Sequence, residues 1–371
     1  MWSWLLTGLA LISMLVITGR ALKSRAWKYQ LEQTGPTRQE GPLLSVIIPA
    51  RNEDHCIAET IDSLVEQTYK NLEIIVVDDQ STDQTADIVR KNQDTRVTLI
   101  EGKPAPSEEW TGKCWAAVQG VRHATGSWFL FLDADMRLKP WLISRVVGEG
   151  LQPRELFSLL PGASFEGFWN RLILPLHGFL IFLGFPLDDV NNPDSDTALA
   201  AGGFILIHQA LYEECGGHEA IRTSIAEDLQ LAKQAKQFGA SIRLLSTEGL
   251  DSTHYDGLRD LAKGITKHLL ACPWPPGIVI PAVQFSFLTI FILPMAFPGF
   301  YQLAGAWIPW AIAVGIYHII YAGIQRKLKH SPGYGFLAIL AIVGYSLIGW
   351  YAVLQLWRHG GPRWKGRRIP S

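Results

Sequence analysis

The sequence predicts an α/β fold with a mostly parallel sheet, and three apolar runs that stop at polar loops predict it. The runs begin at Leu44, Leu72 and Leu130. Each is typical of a buried strand, and the first two lead into stretches with helical spacing. Strands that alternate with helices imply a parallel sheet with right-handed crossovers, so the carboxyl ends of these strands should share one edge.

The remaining elements follow from spacing and charge. Between residues 56 and 67 the apolar positions fall on one helical face, and residues 82–91 are similar. We expect a helix over 114–124 and a strand within 198–207. Acidic residues are favoured in the first turn of a helix, so Glu227 and Asp228 predict a helix start before Leu229.

The third strand ends in two carboxylates, Asp133 and Asp135, separated by one residue. Two hard oxygen ligands at this spacing can hold Mg²⁺ or Mn²⁺ and leave coordination sites open for a diphosphate, which predicts a nucleotide-sugar site. The alternative is that the pair only caps a helix. The shared sheet edge favours a site, because it brings Asn52, Glu53 and Asp79 towards Asp133.

These motifs resemble glycosyltransferase family 2, from about Leu44 to Lys267. The motifs that carry the resemblance are Val46–Glu53, Val77–Ser81, Asp133–Asp135 and Glu227–Asp228. Within the family, Trp110–Ala116, Ala200–Phe204, Gly216–Glu219 and Trp364–Arg367 resemble a membrane-bound branch that includes carotenoid- and hopanoid-associated glycosyltransferases. The resemblance implies a glycosyltransferase-A fold, which is Rossmann-like, and an inverting, metal-dependent transfer.

The resemblance also implies a role for each matching residue. Asp228 would be the catalytic base and Asp135 the metal ligand. The nucleotide sugar would contact Pro49, Ala50, Asn52, Glu53, Asp79, Lys113 and Asp133. The acceptor side would hold Gly202, Gly203, Glu227 and Lys267. The processive motif Gln-x-x-Arg-Trp of polymerising members is absent, which favours transfer of a single sugar.

Two lysines have ordinary explanations as well. Lys113 follows a Trp-Thr-Gly turn and lies at the start of a predicted helix, where backbone donors favour an anion. It could therefore contact a diphosphate, and the alternative is that it is an ordinary solvated lysine. Lys263 and Lys267 are four residues apart and would form one basic face of a helix. This face could contact lipid headgroups or bind a diphosphate, and the sequence leaves both alternatives open.

The composition predicts membrane segments. The 371 residues are 48% hydrophobic, and the uncharged stretch Trp2–Gly19 is followed at once by Arg20 and Lys23. A cleaved signal peptide is one explanation, but the basic residues follow the apolar run, which favours an anchor with a cytoplasmic positive flank. The catalytic domain would then face the cytoplasm. We expect the protein to lie in the inner membrane and to cross it several times.

The C-terminal third contains three more apolar segments, Gly277–Gly299, Tyr301–Gly323 and Tyr334–Leu356. Three crossings would place the basic tail outside, so we expect one segment to be re-entrant or interfacial and the tail to be cytoplasmic. The apolar stretch Phe165–Phe185 is expected to be an interfacial helix, with a buried core helix as the alternative.

The predicted organisation is an anchor at 1–24, a tether at 25–42, a catalytic domain at 43–270 that includes the helix at 165–185, membrane segments at 277–357 and a basic tail at 358–371. A net charge of −1 argues against a nucleic-acid partner. The expected partners are a UDP-sugar or a related donor, a lipid acceptor and the membrane, with Mg²⁺ or Mn²⁺ as cofactor. The alternatives are a catalytically silent membrane scaffold and sugar transfer to a polyprenyl phosphate.

Overall fold

The computed structural model describes residues 28–162, 165–252, 255–270, 307–359, 363–364 and 367–368. The predicted anchor, the segment Gly277–Gly299 and most of the basic tail lie outside these residues. The chain divides into two compact units. The sheet unit comprises the described residues within 26–163, 187–253 and 363–371, and the helical unit comprises those within 164–186 and 254–362.

The helices and strands alternate through most of the sheet unit. Up to residue 184 the elements are β1 (Leu44–Ala50), α1 (Ile57–Val65), β2 (Leu72–Asp78), α2 (Thr85–Arg90), β3 (Val97–Glu101), α3 (Gly112–Val121), β4 (Trp128–Leu132), β5 (Met136–Leu138), α4 (Leu142–Gly148), β6 (Glu155–Leu160) and α5 (Phe168–Gly184). They continue with α6 (Leu187–Val190), β7 (Phe204–His208), α7 (Gln209–Glu214), α8 (Gly217–Ala220), α9 (Glu227–Gln237), β8 (Ser241–Ser246), β9 (Leu250–Ser252), α10 (Gly257–Leu270), α11 (Trp307–Lys327), a 3₁₀ turn (Pro332–Leu337), α12 (Ala338–His359), β10 (Arg363–Trp364) and β11 (Arg367–Arg368).

The main sheet has seven strands in the order β3-β2-β1-β4-β7-β6-β8. Strand β1 is parallel to β2 and β4, β2 is parallel to β3, and β6 is parallel to β8. Only β7 runs antiparallel to both of its neighbours in this sheet. The prediction of a mostly parallel α/β sheet is therefore confirmed, and β1, β2 and β4 do end at one edge.

Helices cover both faces of this sheet, which is why its central strands are apolar along their whole length. Val46 and Ile48 on one face belong to the main core, together with Ile57 and Ile61 of α1. On the other face Ile75 and Val77 pack with Ala116 of α3. All five residues of β4 are buried. The acidic residues after β4 thus follow a strand that is fixed on both faces.

The described part of the predicted tether packs on the sheet unit. Gln30 forms a parallel bridge with Ser246 at the end of β8. The Leu31 amide donates to the Ser246 carbonyl at 2.8 Å, and the Leu31 side chain is 2% exposed. Residues 28–42 therefore do not behave as a free linker.

The helical unit is built from α5, α10, α11 and α12 around one apolar core, whose residues include Leu172, Ile265, Tyr321 and Ile342. Helix α5 is continuous through Pro175. Its His177 ring lies 3.0 Å from His268 and 3.2 Å from the Tyr345 hydroxyl. Residues 165–186 and 255–270, which the sequence grouped with the catalytic domain, cluster here instead.

Among the described residues, one segment is long and apolar enough to cross a bilayer. It is Pro332–Arg358, with a mean hydropathy of 2.1, and 44% of its apolar window is buried in the protein. It coincides with the third predicted C-terminal segment. The second predicted segment overlaps α11, and a multi-pass topology stays a prediction.

Candidate active site

The loops after β1 and β2 are joined at the sheet edge. The Asp79 amide donates to the Ala50 carbonyl at 2.7 Å. Arg51 donates to the Asp79 carbonyl at 2.5 Å and lies 3.9 Å from the Asp79 carboxylate. The Asp79 side chain is only 6% exposed. The carboxylate expected to contact the nucleoside is therefore nearly buried beside a cation at this edge of the sheet.

Asn52 and Glu53 connect the same two loops. Asn52 has a φ of 51°, in the left-handed region that asparagine tolerates. Its amide donates to the Ser81 hydroxyl at 2.9 Å, and its side-chain oxygen accepts from the Thr82 amide at 2.8 Å. The Glu53 amide donates to the Thr85 hydroxyl at 2.8 Å. Asn52 thus has a structural role in shaping the predicted nucleotide site, beside any contact it makes with the donor.

The two carboxylates after β4 are held by the residue between them. Ala134 is buried in the main core, and its carbonyl accepts a hydrogen bond from the Thr60 hydroxyl at 2.6 Å. Residues 133–135 form a turn, in which the Met136 amide donates to the Asp133 carbonyl at 3.2 Å, so that Ala134 is buried while Asp133 and Asp135 stay partly exposed. The Asp135 carboxylate accepts from the Ser252 hydroxyl at 3.4 Å. The hydrogen bonds from Thr60 and Ser252 thus help to hold the Asp133–Asp135 segment in place.

The electrostatics of Asp135 suit a hard cation. Burial, followed by the charges of Asp133 and Glu53, raises the pKa of Asp135 to about 6. Several carboxylates that oppose each other's ionisation are the donor set that Mg²⁺ or Mn²⁺ stabilises, so these residues fit the expected metal.

A second group of ligand atoms lies beside Glu53. One atom each from Glu53, His55 and Cys56 lies within 4.8 Å of the others. A thiol and an imidazole suit a softer ion than Mg²⁺ or Mn²⁺, so this group is a poorer match for a diphosphate-bound cation.

Lys113 joins the two acidic motifs. It lies in the first turn of α3, whose N-cap Thr111 accepts from the Cys114 amide. Its ammonium is 2.6 Å from the Asp133 carboxylate and also pairs with Glu227. Burial opposes the charge of Lys113, but the two carboxylates outweigh it and raise its pKa well above the ordinary value. Lys113 is therefore charged and bound to two carboxylates, not a solvated lysine.

Asp228, at the start of α9, accepts a hydrogen bond from the backbone of a glycine that precedes β7. The Gly202 amide donates to the Asp228 carboxylate at 3.1 Å. A side chain at Gly202 would bring its Cβ within 3.0 Å of that carboxylate, and one at Gly203 would meet the Met136 side chain at 2.8 Å. These glycines allow close approach of side chains of this protein, and their assignment to the acceptor side stays a prediction.

One cavity of the sheet unit brings together five of the predicted site residues, Pro49, Lys113, Asp133, Gly202 and Glu227. It is lined by Pro49, Lys113, Ala117, Phe131, Leu132, Asp133, Gly202, Ile205, His218 and Glu227. Sequence reasoning missed His218 and Arg51, although both lie inside motifs that it singled out. Lys267 lies on α10 in the helical unit, and its assignment to the acceptor side stays a prediction.

Residues 45–216 match the sequence model of the family described as glycosyl transferase family 2. The chain contains a family 2 glycosyltransferase domain. The resemblance seen in the sequence motifs is thus confirmed at the level of the family.

Proteins similar to this chain agree with the expected branch. The 4,4'-diaponeurosporenoate glycosyltransferase of Staphylococcus aureus (strain USA300) is 27% identical over 233 residues, which are 61% of this chain and 60% of the relative. A solved structure, the mannosyltransferase PcManGT from Pyrobaculum calidifontis in complex with GDP-Man and Mn²⁺, matches with a TM-score of 0.54 at 19% identity, covering 95% of this chain and 99% of that one. The structural match shows a shared fold, and the relative matches over less than two thirds of its length.

Proposed function

We propose that the protein is a membrane-bound inverting glycosyltransferase that moves one sugar from a nucleoside-diphosphate sugar, by our expectation a UDP-sugar, to a lipid or amphipathic acceptor. The observation that supports this most is the chain of contacts from Asp133 through Lys113 to Glu227, the neighbour of Asp228. It joins the carboxylates expected on the donor side to those expected on the acceptor side in one cavity.

On the donor side, Asp135 together with Asp133 would hold Mg²⁺ or Mn²⁺. When bound, such an ion supplies positive charge that stabilises a diphosphate leaving group. Lys113 adds a second positive charge beside Asp133, where it can neutralise diphosphate oxygens once it leaves its carboxylate partners. The linked loops that carry Ala50, Asn52 and Asp79 would bind the nucleoside.

On the acceptor side, Asp228 acts as a general base. Its carboxylate takes the proton from the acceptor hydroxyl while that oxygen forms a bond to the anomeric carbon. The bond from the anomeric carbon to the diphosphate oxygen breaks on the opposite face, and the nucleoside diphosphate leaves with the bonding electron pair. The Gly202 amide holds one Asp228 oxygen, which fixes the direction of the base.

The helical unit supports placement at a bilayer. Helix α12 exposes large apolar side chains at helical spacing, among them Leu347 at 65% and Trp357 at 67%. Exposing an apolar stripe of this length to water is unfavourable. The segment has 27 residues and no internal charge, which suits contact with the lipid of a bilayer. We therefore expect at least this helix to lie in the membrane, with further crossings in the undescribed segments.

The relative of known activity supports the acceptor class. Its name gives 4,4'-diaponeurosporenoate as the molecule that it glycosylates. We expect an acceptor of similar lipid-like character for this protein, since it would partition into the same bilayer as α12.

A transfer assay tests the proposal. Detergent-purified protein is given radiolabelled UDP-, GDP- or dTDP-sugars, Mn²⁺ and a membrane lipid extract, and labelled lipid is counted. With a hydroxyl acceptor, Asp228→Asn should lower turnover by about 10³-fold or more, because the base is lost. Asp62→Asn, at an exposed carboxylate on α1, is the matched control and should not change turnover.

The same assay separates the rival functions. Substantial residual turnover in Asp228→Asn would refute its role as base and favour an acceptor that is already anionic, such as a polyprenyl phosphate. If folded protein transfers no sugar from any donor, the scaffold explanation is favoured.

A further inference from the structure

The short turn between α7 and α8 brings one tyrosine onto one histidine. Gly216 and Gly217 adopt φ values of 76° and 49°, which favour glycine. A Cβ at Gly217 would lie 2.4 Å from the Tyr212 ring. The glycines therefore allow the Tyr212 ring to lie against the backbone just before His218.

The hydrogen bonds of Tyr212 assign the proton of His218. The backbone amide of His218 donates to the Tyr212 oxygen at 3.0 Å. The Tyr212 hydroxyl lies 2.9 Å from Nδ1 of the same histidine. Tyr212 is buried, and Nδ1 is the one acceptor that the contacts of the described residues give to its hydroxyl proton, so we assign this proton as donated to Nδ1. Nδ1 is then an acceptor, and a neutral ring carries its proton on Nε2. Burial is the main cause that lowers the pKa of His218 to about 4, so the ring is neutral at pH 7.

The His218 ring also lines the cavity of the active site. Phe131 packs on it edge to face, with ring centroids 4.6 Å apart. The charges of Glu227 and Lys113 both act on the ring, in opposite directions. Because Nδ1 is taken by Tyr212, Nε2 is the ring nitrogen that can donate to a ligand in the cavity that this ring lines.

The location of this cavity decides what His218 meets. Asp133, which we propose to help Asp135 hold the metal on the donor side, lines the cavity, and so does Gly202, whose amide donates to the proposed base Asp228. In an in-line displacement the transferred sugar lies between the leaving group and the base. A donor that faces the space between them therefore faces the sugar, not the nucleoside.

We propose that His218 determines the sugar specificity of the enzyme, by donating a hydrogen bond from Nε2 to one hydroxyl oxygen of the transferred sugar. Tyr212 is a positioning residue that keeps the proton on Nε2. This inference rests on the proposed function. A buried donor that loses its partner is costly, so such a site discriminates strongly against a sugar that lacks the hydroxyl.

The test combines variants of the protein with analogues of the donor. The preferred donor is first identified in wild-type protein with the panel of UDP-, GDP- and dTDP-sugars, and kcat/KM is then measured for that donor and its monodeoxy analogues. We expect wild type to discriminate by about 10²-fold or more against one deoxy analogue, and His218→Phe to lose most of that factor for this analogue only.

Three further measurements make the test specific. His218→Gln keeps an N–H donor and should recover much of the discrimination, whereas Tyr212→Phe should weaken it. Binding of the free nucleoside diphosphate should be unchanged in all of these variants. His123→Gln, at an exposed histidine near the end of α3, is the control and should behave as wild type.

The inference is overturned if His218→Phe and His218→Gln both keep the full discrimination, or if both lose affinity for the free nucleoside diphosphate in parallel. If wild type discriminates against none of the deoxy analogues, the inference is overturned without any variant. Failure of wild type to transfer any sugar would instead contradict the proposed function itself.

Discussion

Replacing Gly202 by alanine should damage catalysis without damaging donor binding. The new Cβ would lie 3.0 Å from the Asp228 Oδ2 and 3.5 Å from its Cβ and Cγ. Relief of this contact requires a shift of about half an ångström, and since a misplacement of about 1 Å costs about 10²-fold, we expect kcat to fall about 10-fold. KM for the donor should change little, because the new methyl group presses on Asp228 and not on Asp133, Asp135 or Lys113.

The adjacent glycine provides the matched control. A Cβ at Gly203 would press on the flexible end of Met136 instead of on Asp228. Gly203→Ala should therefore cost stability, about 1–3 kcal/mol by overpacking, and leave kcat nearly unchanged. The assay is steady-state transfer of labelled sugar, with thermal melts of both variants. Equal loss of kcat in the two variants, or none in Gly202→Ala, would refute the assignment of Asp228 as a positioned base.

Three other outcomes are expected. Lys113→Met removes the cation shared by Asp133 and Glu227. Because the Lys113 side chain is 30% exposed, we expect the free energy of unfolding in urea to fall by about 2 kcal/mol, near the lower end for a broken ion pair, and donor binding to weaken. Unchanged stability would contradict this. The pKa of His218 is lowered to about 4 in the native protein, whereas the unfolded chain binds this proton near pH 6.5. As the pH falls from about 6.5 to about 4, the unfolded state is therefore favoured, and up to about 3 kcal/mol of stability should be lost. In His218→Gln the pH dependence of unfolding should be flatter, and an identical pH profile would exclude this linkage. Leu347→Asp with Leu354→Asp puts two charges on the exposed stripe of α12, each worth about 3 kcal/mol against insertion. Labelling of α12 by a photoreactive lipid should therefore fall, even if the predicted anchor keeps the protein at the membrane, and unchanged labelling would argue against lipid contact.

The sheet could be predicted because its signals are local. Buried strands read as unbroken apolar runs, and α1 shows its buried face at Ile57, Ile61 and Leu64 in the periodicity of the sequence. The convergence of acidic strand ends then follows from parallel topology. Strand β7 was anticipated as a strand, but its antiparallel direction depends on long-range packing that no local pattern reports.

The details of the site depend on contacts between distant residues. Lys113 was expected to meet a diphosphate, and only the fold brings it to Glu227, 114 positions later in the chain. The tie between Tyr212 and His218 is local but requires two left-handed glycines, whose conformation the motif Gly-Gly-His does not reveal by itself. The grouping of α5 and α10 with the C-terminal helices likewise follows from tertiary packing, since the sequence of α5 favours an interfacial helix and leaves a buried helix as the alternative.

The most direct test of the central claim is donor binding by detergent-purified protein, measured by calorimetry with UDP-, GDP- and dTDP-sugars in Mn²⁺ and again with chelator. We predict binding of one donor class that requires the metal and that Asp135→Ala abolishes, because this carboxylate is the expected ligand. Binding that is equally tight with chelator, or unchanged in Asp135→Ala, would contradict the metal-dependent site, and no binding by folded protein would contradict the proposed enzyme.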